Sequence, residues 1–130
     1  VSYIKAMING VPYSQAKSRG DKEAPQRWTG AIVAQTRGLP CVKEACLVKI
    51  TFLLPPDKFP VDFPYGPDLD NLLKRFMDAL NGTVFREAKG NDSCIVSMTV
   101  IKTKVASPKE AGAHLEVLPV SLATTSSPAI

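Results

Sequence analysis

Four aspartates and one lysine stand at spacings that could serve phosphate chemistry. Asp68 and Asp70 lie one residue apart, where a proline-rich stretch gives way to a run with helical periodicity. Extended backbone turns alternate side chains the same way, so this pair could present two carboxylates to one cation. Hard oxygen donors favour Mg²⁺, with Mn²⁺ as a substitute. Lys74 and Asp78 follow Asp70 at successive spacings of four, so one helix face reads Asp, Lys, Asp. Asp92 opens a later strand. If that strand lies beside the strand Glu44 to Leu54, Asp92 approaches the same corner and completes a three-carboxylate cup.

The same residues admit a purely structural reading. Asp70 is a good N-cap, and Asp68 would then be a solvated acid favoured by the positive end of the helix. The Asp, Lys, Asp face would be an exposed ladder worth only ~0.3–0.5 kcal/mol per pair. Other reactive types are scarce. The single histidine, His114, excludes an HExxH zinc site and any three-histidine cage, and reads as a sheet residue. The three cysteines, Cys41, Cys46 and Cys94, are odd in number and lack CxxC spacing, which argues against a disulfide framework or structural zinc. A reducing, intracellular compartment fits that usage. Cys46 and Cys94 read as small core residues, and Trp28 as a core anchor on a helix.

These residues must be positioned by a small fold. The chain has 130 residues and a mass of 14.0 kDa, with 45% apolar and 22% charged residues, which is the make-up of one soluble globular domain. A domain over 1–118 and a tail without fixed structure over 119–130 are expected, the latter because Ser, Thr, Pro and Ala dominate it without charge. The net charge of +4 permits an anionic partner without proving one. No run approaches the ~20 apolar residues of a membrane span, and the first ten residues lack a signal pattern, so no membrane partner and a cytoplasmic location are expected.

Periodicity supplies the elements. Ser2 to Ile8 reads as a first strand, and Val11 to Glu23 as a net basic loop carrying Lys17, Arg19 and Lys22. Ala24 to Arg37, with Pro25 in its first turn, reads as a helix that includes Arg27. Glu44 to Leu54 alternates strictly and reads as a central strand. Pro55 to Pro67 holds five prolines and reads as a stiff connection, with Phe59, Phe63 and Tyr65 as candidates for a subunit contact. Asp70 to Asn81 is helical and stops at Asn81-Gly82. Ser93 to Val105 reads as a strand, with Ala113 to Leu118 as its hairpin partner. The expected fold class is α+β: a two-layer sandwich of a small mixed sheet with two helices on one face, in the order β-α-β-α-β-β.

The run Asp68-Leu69-Asp70-Asn71-Leu72-Leu73-Lys74, then Asp78-Ala79-Leu80, then Asn91-Asp92 and the strand reaching Lys102, resembles the RusA-type Holliday junction resolvases. Their pattern is a DLDNxxK helix start, then DAL, then an acidic turn opening a strand that ends in lysine. The match covers Pro67 to Lys104. It departs from the pattern at Pro67, where arginines precede the motif in the best-known members, and at Asn91, where the turn has two aspartates. The resemblance implies a Mg²⁺-dependent endodeoxyribonuclease that resolves four-way DNA junctions as a homodimer in recombination and repair. It assigns the catalytic metal-binding carboxylates to Asp68, Asp70 and Asp92 and the essential lysine to Lys74. DNA contacts would fall to Lys17, Arg19, Lys22 and Arg27. Two other readings stay open: an inactive nucleic-acid-binding relative, and a small regulatory α+β domain.

Overall fold

Strict alternation along one strand decides what lies innermost. The computed structural model describes residues 3–14, 23–56 and 67–120. It contains β1 (Ile4–Asn9), α1 (Ala24–Thr36), β2 (Cys46–Leu54), α2 (Leu69–Leu80), β3 (Ile95–Lys104) and β4 (Gly112–Pro119), joined as one four-stranded mixed sheet in the order β1-β4-β2-β3. Along β2, Cys46, Val48, Ile50, Phe52 and Leu54 are all buried while the residues between them face outward. Period two turns these five side chains to one face, and both helices cover that face. The two-layer α+β expectation and its element order hold.

The helices seal the core through a short aromatic chain. Phe76 of α2 stacks on Trp28 of α1 at 6.2 Å between ring centroids and meets Phe52 of β2 edge-on at 5.5 Å. Trp28 is 2% exposed, the core anchor its helical spacing suggested. The far end of α1 is fastened by hydroxyls: Thr36 donates to the Ile32 carbonyl at 2.7 Å and pairs with Thr83 Oγ1 at 2.8 Å, both residues buried. Such pairing removes the desolvation cost that either hydroxyl would carry alone.

Two expectations are corrected. β3 and β4 do not form a hairpin: β4 lies between β1 and β2, antiparallel to both, while β3 pairs in parallel with β2 alone. The connection from Val105 to Ala111 is long enough to pass over the end of β2, where the Val105 N–H donates to the Leu54 carbonyl at 2.9 Å. β2, the strand with the most complete buried face, takes an interior place, and β3, with no fully buried residue, takes the edge. The first two residues assigned to the tail are bonded to the sheet, and 121–130 lie outside the described residues. Pro119 pairs with Cys46 inside β4, and the Val120 N–H donates to the Ala45 carbonyl at 2.9 Å. Helix α2 starts at Leu69, so Asp68 and not Asp70 holds the N-cap position, and it makes no side-chain capping bond.

Helix α2 runs antiparallel to β3, tied at both ends. Near its start the Lys102 ammonium donates to the Pro67 carbonyl at 2.8 Å. Near its end Asn81 Nδ2 donates to Asp92 Oδ2 at 3.4 Å. Among the described residues no helix is long and apolar enough to cross a membrane. The stiff proline connection, apart from its ends, and the loop residues Lys17, Arg19 and Lys22 lie outside the described residues.

Candidate active site

The amphipathic turn of α2 that buries Leu72, Phe76 and Leu80 necessarily sets the opposite residues free. Asp70, Lys74 and Asp78, one turn apart from each other, project from that exposed face into a cleft of about 530 Å³ between α2 and the start of β3. Asp92 lines the same cleft from the turn that precedes β3. Leu73, Met77, Ile95 and Met98 supply apolar lining between the polar groups. The parallel pairing of β2 with β3 satisfies the condition on which the approach of Asp92 depended.

The exposed ladder does not form. Among the described residues Lys74 makes no ion pair with Asp70 or Asp78, which leaves its ammonium available within the cleft. Asp70 Oδ1 accepts the N–H of the next residue, Asn71, at 3.0 Å. Asp68, exposed at the N-cap, does not line the cleft. Asp70 and Asp92 lie towards opposite ends of α2: Asp92 is bonded to Asn81, which stands roughly 16 Å beyond Asp70 along the helix axis at about 1.5 Å per residue. Among the described residues no group of three His, Cys, Asp or Glu side chains is gathered closely enough to hold a metal ion. The three-carboxylate cup is therefore not formed within one chain.

A strained turn carries Asp92. Gly90 has φ +75° and Asn91 φ +52°, left-handed conformations that glycine and asparagine tolerate better than other residues. A Cβ at Gly90 would collide with Ser93 Oγ. Asn91 Nδ2 donates to the carbonyls of Phe85 at 3.1 Å and Asn81 at 3.4 Å. A carboxylate at that position could do neither, which is a physical reason for asparagine there. The turn Asn91–Cys94 is a short 3₁₀ segment closed by the Ile95 N–H donating to the Asp92 carbonyl. Just beyond it Cys46 pairs with Ile95 but Leu47 pairs with Ser97, so Val96 is an extra, bulged residue. Bulges re-aim the strand that carries them, and Val96, 48% exposed, lines the cleft beside Asp92.

The remaining candidates fall elsewhere. Arg27 is exposed on α1 and lines a separate cavity of about 480 Å³ with Tyr13 and Trp28. His114 is exposed on the helix-free face of the sheet. Cys46 is fully buried, and burial, with the Cys94 thiol beside it, pushes its pKa up to about 12. It is an inert core thiol. Sequence reasoning missed the part played by Asn81 and Asn91. Asn81-Gly82 signalled only the end of a helix, and nothing in the spacing announced that both amides would frame Asp92.

The donor chemistry suits a hard divalent cation. Mg²⁺ is usually held by one or two carboxylates, with waters and substrate phosphates completing its shell, and aspartates are donors of that kind. No curated protein gives a significant match to the chain. A family model described as Endodeoxyribonuclease RusA matches residues 15–117, a span that includes the whole carboxylate cleft, both helices and every strand except β1 and the last residues of β4. The chain belongs to the RusA endodeoxyribonuclease family.

Proposed function

We propose that this protein is a Mg²⁺-dependent endodeoxyribonuclease that cleaves four-way and related branched DNA in recombination and repair, acting as a homodimer. The observation that carries this reading is the cleft itself, where Asp70 and Lys74 of α2 face Asp92 of the neighbouring turn. A bound divalent ion would supply a polarised phosphate oxygen and a water of lowered pKa. Asp68 and Asp70, at the start of one copy's α2, would hold it together with Asp92 from the turn of a second copy. Lys74 would set its ammonium against charge developing on the phosphate oxygens. In-line attack would leave a 5′-phosphate and a 3′-hydroxyl. Lys17, Arg19, Lys22 and Arg27 would contact the DNA backbone.

Homodimerisation supports the site's completion. Among the described residues β3 is an edge strand of ten residues that borders the cleft, with Asp92 before its start and Lys102 and Lys104 at its end. An uncovered edge is a template for pairing with another chain. Antiparallel pairing of two copies about a two-fold axis sets the acidic end of one strand against the basic end of the other. It also brings the start of the partner's α2 towards Asp92, which within one chain lies far from Asp68 and Asp70.

The test is cleavage of a synthetic four-way junction with Mg²⁺ and with chelator. Symmetric cleavage that requires the metal and is lost in Asp70→Asn, while junction binding persists or tightens, supports the reading. A folded, dimeric protein that cleaves no branched substrate refutes it. A second reading, a relative that binds branched DNA without cutting it, draws on the lack of a gathered three-carboxylate group in the single chain. It predicts binding that weakens steeply with salt and survives Asp70→Asn.

A further inference from the structure

We infer that Asn81 is a positioning residue that sets the aim of the Asp92 carboxylate for a divalent ion. This rests on the nuclease reading above and deepens it. Asn81 follows the last residue of α2, and its Nδ2 donates to Asp92 Oδ2 at 3.4 Å across the seam between helix and turn. The backbone of the same residue is engaged on the other side, its carbonyl accepting from Asn91 Nδ2 at 3.4 Å. The pair Asn81 and Asn91 thus joins the end of α2 to the left-handed turn that presents Asp92.

The orientation of the amide is fixed by chemistry. Turning it over would place Oδ1 against Asp92 Oδ2, acceptor on acceptor, so the donor side must face the carboxylate. That leaves Asn81 Oδ1 buried and without a partner among the described residues. The bond to one carboxylate oxygen leaves the lone pairs of the other for a ligand. Outer partners of this kind orient metal-binding groups, and their loss typically weakens metal affinity or activity 10–100-fold. A long hydrogen bond in the unliganded protein tightens when its acceptor is drawn to a ligand.

The experiment measures Mn²⁺ binding to the full chain by electron paramagnetic resonance, alongside junction cleavage as a function of Mg²⁺ concentration. Asn81→Ala should bind Mn²⁺ on the order of 10–100-fold more weakly than wild type. Its metal-free melting should stay close to wild type, and its junction affinity should not change. Asn81→Gln, which keeps the amide donor, should recover most of that loss. In the wild-type chain the Asn81 side-chain amide resonances should broaden with stoichiometric Mn²⁺ and shift in Asp92→Asn, a readout that needs no variant at Asn81. Equal Mn²⁺ affinity in wild type and Asn81→Ala, no recovery in a folded Asn81→Gln, or amide resonances indifferent to Mn²⁺ would each overturn the inference while leaving a cleaving wild-type enzyme intact. A wild-type protein that neither binds Mn²⁺ nor cleaves overturns the nuclease reading and this inference together.

Discussion

Lys102 links the sheet to the start of the helix that carries Asp68 and Asp70, and its replacement by methionine tests that link. Methionine keeps most of the apolar stem that packs along β3 but removes the ammonium that donates to the Pro67 carbonyl at 2.8 Å. A hydrogen bond from a charged donor contributes about 1.5–3 kcal/mol, and the half-buried setting reduces this to about 1–2 kcal/mol. For a domain of this size the melting temperature should fall by about 3–8 °C. The consequence for cleavage should be larger than that for stability. Releasing Pro67 lets the N-cap at Asp68 shift, and a displacement of about 1 Å at reacting groups costs on the order of 10²-fold. The assay is single-turnover cleavage of a four-way junction at saturating protein, well below the melting temperature of the variant, paired with thermal melting. A variant that melts and cleaves like wild type would show that the bond from β3 does not hold the helix start, and the argument built on it would fail.

Mixing inactive subunits tests the dimeric site: Asp70→Asn and Asp92→Asn, each inactive alone, should recover cleavage of one strand when co-folded, because one shared site per dimer would then be wild type. No recovery would place both aspartates in the same subunit's site. The raised pKa of Cys46 means that the folded state keeps a proton that the unfolded thiol releases above pH 9. Its contribution to stability should be intact below pH 9 and be lost progressively as pH rises towards 12, and denaturant midpoints in Cys46→Val should lack that part of the decline. Phe76→Ala removes the ring between Trp28 and Phe52, and should cost about 3–5 kcal/mol by chemical denaturation. A loss below about 1 kcal/mol would mean that the aromatic chain is not a principal tie between helices and sheet.

Much of the fold is legible because each element carries a single clear period. The alternation of Cys46 to Leu54 and the spacing of Leu72, Phe76 and Leu80 give β2 and α2 almost to the residue. Pairing is less legible. Val105 to Ala111 reads as a hairpin turn, yet the same residues can pass over a strand end, and only the burial demand of β2 on both flanks decides between them. The site is legible in its charged members, since Asp70, Lys74 and Asp78 must share an exposed face once Leu72 and Phe76 are buried. Its supports are not. Asn81 and Asn91 bond to groups in the neighbouring segment through side-chain amides, and no local period encodes such contacts. Nor does spacing along the chain reveal that Asp92 meets the end of α2 and not its start.

Anomalous scattering from crystals of the dimer soaked in Mn²⁺ puts the central claim to the most direct trial. The account predicts a peak in the cleft at ~2.1–2.2 Å from a carboxylate oxygen of Asp92 and from one of Asp70 or Asp68, with Lys74 facing the remaining open side. Manganese bound only elsewhere on the surface, with Asp70 and Asp92 both unliganded at saturating metal, would contradict it.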